Sequence, residues 1–172
     1  MKLLLVLVFL HNPHLSADTT TNTSEYFIAM EYKGISNCIY KVFITDSLIM
    51  CAKVNGYISV ENGLGIGRTV LKSEMHDPEA YVDKNLNAKY TEPLPDIPKF
   101  LDSDRQNFII RKKDIKKVYN NPAPKWGMGY YPYGGRIIIE TTKKMYNSSR
   151  TTELILIGDQ NPEEILAKIN RH

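Results

Sequence analysis

The sequence predicts a mainly β domain of the α+β class, with antiparallel strands and one C-terminal helix as a lid. Three observations predict it. Short apolar, β-branched runs recur from Tyr26 to Gly158, bounded by turn residues. Pairs as brief as Asp46-Ser47 and Asn55-Gly56 join neighbouring runs as hairpins. A well-signposted amphipathic helix follows the last run.

A chain of 172 residues suits one domain of ordinary size. With 42% hydrophobic and 24% charged residues, a globular core is affordable and disorder is not the default. The net charge of +3 is too small to argue for nucleic acid, so none is expected as a partner, and any basic patch must be local.

The first ten residues hold Lys2 and then an unbroken apolar run, which His11-Asn12-Pro13 ends. Ala17 offers a small residue before a cut. Residues 1–17 read as a signal peptide, too short for a membrane span of ~20 residues. The expectation is export to the periplasm or the extracellular space; a misplaced start and a cytoplasmic protein is the alternative. Residues 18–25 form a flexible lead-in, and a single domain occupies 26–172. Asn22-Thr23-Ser24 and Asn147-Ser148-Ser149 match the glycosylation triplet, which matters only in a eukaryotic secretory pathway.

The strands begin at Tyr26. Tyr26–Tyr32, Cys38–Thr45, Leu48–Val54 and Tyr57–Val60 read as a four-stranded antiparallel meander. If Asp46 and Ser47 make the turn, Cys38 lies near Asn55 and Cys51 near Val42. The cysteines are then roughly 13 Å apart along the strand. A disulfide needs Cα atoms within about 7 Å, so both read as buried thiols.

An insertion over about 62–100 interrupts the pattern. Its alternate glycines, Gly63 to Gly67, lack the spacing and the Lys-Ser/Thr of a phosphate loop. Pro78–Lys89 predicts a short helix after Asp77. Pro93, Pro95 and Pro98 predict an extended crossing between two sheets.

Strands resume at Asn107–Arg111 and Asp114–Tyr119. Arg111, Lys112, Lys113, Lys116 and Lys117 make the densest basic cluster of the chain. Lysines on a strand edge discourage aggregation, and the same five are candidates for an anionic ligand or a lipid headgroup. Pro122–Gly135 holds Trp126, Tyr130, Tyr131 and Tyr133 among four glycines and three prolines. Such rings either fold back over the core or stand out as a recognition surface. The expected split puts Trp126 inward as an anchor and leaves at least two tyrosines accessible as a partner-binding rim. Arg136–Thr142 and Thr152–Gly158 form a final hairpin. Asn161 caps the helix, Pro162 suits its first position, and Ile165 and Ile169 face the sheet.

The order of four strands, an insertion, three strands and a terminal helix resembles the pleckstrin-homology-like (PH-like) domains, most closely the small bacterial ones. Asn107–Ile110, Asp114–Val118, Gly135–Ile139 and Leu154–Ile165 carry the resemblance. It implies a partly open barrel of about seven antiparallel strands, made of two near-orthogonal sheets and capped by the helix. It also implies binding of lipid headgroups, peptides or protein partners. The first hairpin loop, Lys33–Asn37, has a single cation where phosphoinositide-binding members carry a basic run.

Catalysis has little support. Of four histidines, only His76 lies inside the predicted domain away from its end, beside Glu74, Asp77 and Glu79, and nothing apolar surrounds it. No catalytic residue, metal site or cofactor is expected. The sequence therefore predicts a non-catalytic module that binds an unknown protein or peptide through the aromatic loop and a sheet edge. A peripheral module for anionic lipid, using the basic cluster, is the alternative.

Overall fold

Backbone pairing joins seven strands into one antiparallel sheet in a computed structural model that describes residues 25–33, 36–56, 58–60, 68–90, 94–125, 131–144 and 149–171. The predicted signal and most of the expected lead-in, the glycine run 63–67 and Asn147-Ser148 lie outside the described residues. The strands are β1 (Glu25–Lys33), β2 (Ser36–Ile44), β3 (Leu48–Asn55), β4 (Ile58–Val60), β5 (Arg68–Val70), β6 (Phe108–Arg111), β7 (Ile115–Asn121), β8 (Tyr133–Thr141) and β9 (Thr151–Ile157). The sheet order is β6-β3-β2-β1-β9-β8-β7, and the sheet curls into a half-barrel. Helices α1 (Lys84–Asn87), α2 (Ile97–Ser103) and α3 (Pro162–Asn170) complete the regular structure among the described residues.

The predicted class holds: the protein is mainly β, with seven antiparallel strands and a C-terminal helix. Two details differ. One sheet replaces the two implied, although its halves join narrowly, through Ala29 opposite Leu156 and Met30 opposite Ile155. The predicted fourth strand of the meander, β4, instead pairs parallel with β5 in a separate ribbon. Its place beside β3 is taken by β6, whose Phe108, Ile109 and Ile110 are all buried.

Strand side chains alternate between two cores. Phe27, Ala29, Tyr40, Val42, Ile137, Ile139, Leu154 and Leu156 point into the half-barrel, where Ile165 and Ile169 of α3 meet them. Ile28, Met30, Phe43, Met50, Ile109 and Ile155 point to the outer face, where Tyr81, Tyr90 and Phe100 of the insertion cover them. Both faces of β1, β2, β3 and β6 are thus buried, which explains runs that are apolar throughout.

The insertion covers a face instead of crossing between sheets. The predicted helix is broken into tight turns at Pro78–Tyr81 and Ala88–Tyr90 with α1 between them. The predicted extended crossing contains α2: Asp96 caps it, its Oδ1 accepting from Lys99 N at 3.0 Å, and Pro98 sits in its first turn. Asn107, fully buried, ties this cover down. Its Nδ2 donates to Phe100 O at 2.7 Å, and its Oδ1 accepts from Lys53 N at 2.8 Å.

The helix cap matches its prediction. Asn161 Oδ1 accepts from Glu163 N at 3.0 Å, and Ile165 and Ile169 are buried. Just before it, Gln160 stands in for a missing strand partner where β1 and β9 diverge. Its Oε1 accepts from Ile28 N at 3.0 Å and its Nε2 donates to Ile28 O at 2.7 Å.

Cys38 and Cys51 are both buried and unpaired, and Val42 faces Cys51 as the predicted register requires. Burial, reinforced by the charge of Glu31, pushes the Cys51 thiol well above its ordinary value, which makes it a poor nucleophile.

Candidate binding edge

β6 and β7 are the two edges of the sheet, and the chain passes from one to the other through a single tight turn, Lys112–Asp114. The basic cluster therefore sits at the open seam of the half-barrel. Its members part company there. Lys112 Nζ donates to Arg171 O at 2.7 Å, at the C-terminal end of α3. Burial pushes this ammonium below its usual value. Arg111 is half-buried, whereas Lys113, Lys116 and Lys117 are exposed.

A bulge determines how β7 presents its lysines. Ile115 lies opposite Thr141 and Lys117 opposite Glu140, so β7 carries one extra residue, Lys116. Ile115 and Val118 consequently both pack on the inner core although three residues separate them. Strict alternation would turn Lys117 inward; the bulge leaves both Lys116 and Lys117 in solvent. Lys117 Nζ lies 4.3 Å from the centre of the Tyr119 ring, which holds its stem along the strand.

Among the described residues the outer rim of β7 has no strand partner. Among the described residues, no backbone hydrogen bond other than those to β8 involves residues 116–121. Alternate residues of this stretch thus offer outward donors and acceptors beside three exposed ammonium groups.

The aromatic segment resolves only in part. Trp126 and Tyr130 lie outside the described residues. Tyr131 and Tyr133 are half-buried: each packs one part of its ring on the outer core and leaves the rest to solvent. The Tyr131 ring lies 6.1 Å from that of Tyr81, and Tyr133 Oη donates to Pro122 O at 2.6 Å. Burial, then the neighbouring Tyr131, pushes the Tyr81 hydroxyl up to about 12. The outer core thus extends to the start of β8, where these rings border it.

Behind β7, the outer face of β8 and β9 carries an ion-pair network beside the apolar Ile155. Glu153 Oε1 accepts from Arg136 Nη1 at 2.7 Å, and its Oε2 accepts from Lys125 Nζ at 2.9 Å. Burial works to raise the Glu153 carboxyl, but these two bonds outweigh it and hold the group below the usual range.

His76 does not join the acids next to it in sequence. Its Nδ1 lies 3.0 Å from Asp159 Oδ1, with both side chains largely exposed. Asp159 N donates to His76 O at 2.8 Å, and this clasp rests on Gly158, whose φ of +70° and closeness to His76 O leave no room for a Cβ. Its place is a junction between insertion and sheet. Among the described residues no group of three or more metal-ligating side chains occurs. No described helix is long and apolar enough to cross a membrane. No family model matches the chain, and neither the curated proteins nor the solved structures contain a significant match to it.

Proposed function

We propose that the protein is a non-catalytic, PH-like binding module that captures an extended segment of a protein partner on the edge strand β7. The observation that carries this reading is the open rim of residues 116–121 beside three exposed lysines. Strand addition gains affinity from backbone hydrogen bonds and specificity from the flanking side chains. Lys113, Lys116 and Lys117 set the sign: the segment is acidic. The same lysines repel a second copy of β7, which guards the edge against self-association. Half-burial of Arg111 and the engagement of Lys112 by Arg171 O leave three of the five cations for a flat anionic surface, which weakens the lipid alternative.

Selection of short peptides against the full chain tests this. The expected binders are acidic, and their complexes slow amide exchange within Ile115–Asn121. Binders that protect other segments, or salt-sensitive pelleting with phosphatidylserine vesicles in the absence of any peptide binder, would reject the strand-addition reading.

A further inference from the structure

The two ends of the β7 rim are unlike, and the difference bears on what the rim holds. At its start the cations are free. Arg150 O accepts from Thr141 N at 2.8 Å, and Thr141 lies opposite Ile115, the first residue of β7. Lys143 Nζ lies 3.6 Å from Oδ1 of the preceding residue, Asp114. Lys143, Lys144 and Arg150 therefore flank the same corner as Lys113 and Lys116. Asp114 is buried and already faces Lys143, and Glu140 lies opposite Lys117. Lys113, Lys116, Lys144 and Arg150 are exposed, and among the described residues they form no ion pair. Four cations thus gather at one end of the edge without a counter-charge there.

At the far end the cations are engaged. Lys125 and Arg136 both bind Glu153. Asn120 Oδ1 accepts from Arg136 N at 3.2 Å, and Asn121 Oδ1 accepts from Ala123 N at 3.0 Å. The last residues of β7, Tyr119, Asn120 and Asn121, carry no charge.

The rim is also closed at its start. Only Lys112–Asp114 separate β6 from β7, so the two edges of the sheet converge on this turn. Lys112 Nζ donates to Arg171 O and ties the turn to the end of α3. A strand laid along β7 therefore has to stop or bend there.

Building on the strand-addition reading, we propose that the captured segment is the acidic C-terminal tail of a partner protein, running antiparallel to β7. Antiparallel pairing is the more stable kind per residue, and every pair in the seven-stranded sheet is antiparallel. It brings the last residues of the segment to the start of β7. A chain end needs no path past the turn, and its α-carboxylate adds a charge that an internal segment lacks. Lys113, Lys116, Lys144 and Arg150 meet that carboxylate and the acidic side chains before it.

Three octapeptides titrated into the full chain test the proposal. The first is acetyl-Thr-Val-Thr-Val-Thr-Glu-Asp-Glu with a free C-terminus, and the second is its C-terminal amide. The third is an acetylated amide with the residue order reversed. The second should bind roughly threefold more weakly than the first, and the third roughly tenfold more weakly than the second. A spin label replacing the acetyl group of the first should broaden the amide signals of Asn120 and Asn121 and spare that of Ile115. Lys144→Gln combined with Arg150→Gln should weaken the first peptide roughly fivefold and leave the third unchanged. Melting temperature checks the fold of this variant, and Lys113→Gln replaces it if the fold is lost. Equal binding of the second and third peptides, broadening at Ile115, or indifference to these substitutions would overturn the antiparallel acidic tail. Equal binding of the first and second would overturn the free terminus. Any of these results, with amide protection confined to Ile115–Asn121, leaves strand addition itself intact. No binding by any peptide at millimolar concentration, or protection of other segments, would overturn both.

Discussion

The two halves of the sheet solve the same problem differently. β1, β2, β3 and β6 bury both faces, one under α3 and the half-barrel, the other under the insertion. β7 and most of β8 and β9 bury one face and leave the other to Arg136, Glu140, Glu153 and Lys117. The first half therefore needs a cover as long as the stretch between β3 and β6. The second needs only a charge network and a defended edge. Strand addition needs a free edge, and the longer of the two edges, β7, belongs to the half whose outer face is left to charged side chains.

Three measurements bear on that contrast. The inner core belongs to both halves, so Ile165→Asp should have the largest effect, about 4 kcal/mol of lost stability, because it places an unpaired charge among buried side chains. Chemical denaturation measures it; a loss near zero would mean that α3 does not seal the half-barrel. Asn107→Ala should cost about 3 kcal/mol through the buried groups it leaves unpaired. Its damage should be local. Hydrogen exchange should accelerate around Tyr90 and Phe100 while β8 and β9 keep their protection, and uniform acceleration would show that the halves are not separable. The smallest effect should come from Glu153→Gln, within about 1 kcal/mol, since the ion pairs are partly solvated. Its sign with pH is fixed. The folded carboxyl titrates below its unfolded value of 4.5, so its contribution is complete above that value and vanishes as pH falls through the folded one. Wild type and Glu153→Gln should therefore converge in stability on acidification.

Much of the frame was legible in the chain. β-branched runs, the Asp46-Ser47 turn and the Asn161-Pro162 helix start all carry local signals, and the structure follows them. What was not legible depends on contacts between distant segments. The bulge at Lys116 is invisible to a period-two reading, because Ile115 and Val118 reach the same core only by adding a residue. Pro98 reads as a breaker until Asp96 is recognised as a cap two residues earlier. Nothing in the loop of Tyr131 and Tyr133 reveals that the outer core reaches the start of β8. The corner that gathers Lys113, Lys144 and Arg150 joins residues whose proximity is purely tertiary. Gln160 carries no local sign that its amide will complete the hydrogen bonding of Ile28, 132 positions away.

That last contact has a consequence for the order of events during synthesis. β1 is the first described element to leave the ribosome, and its partners β9 and Gln160 are among the last. The hairpin of β1 and β2 forms early, but its far side has no neighbour until β9 has been made. Until then the nascent chain carries a largely apolar strand with one open edge, a state open to wrong pairings. Closure of the half-barrel is a late and long-range step, slow by the entropy of the loop it must close.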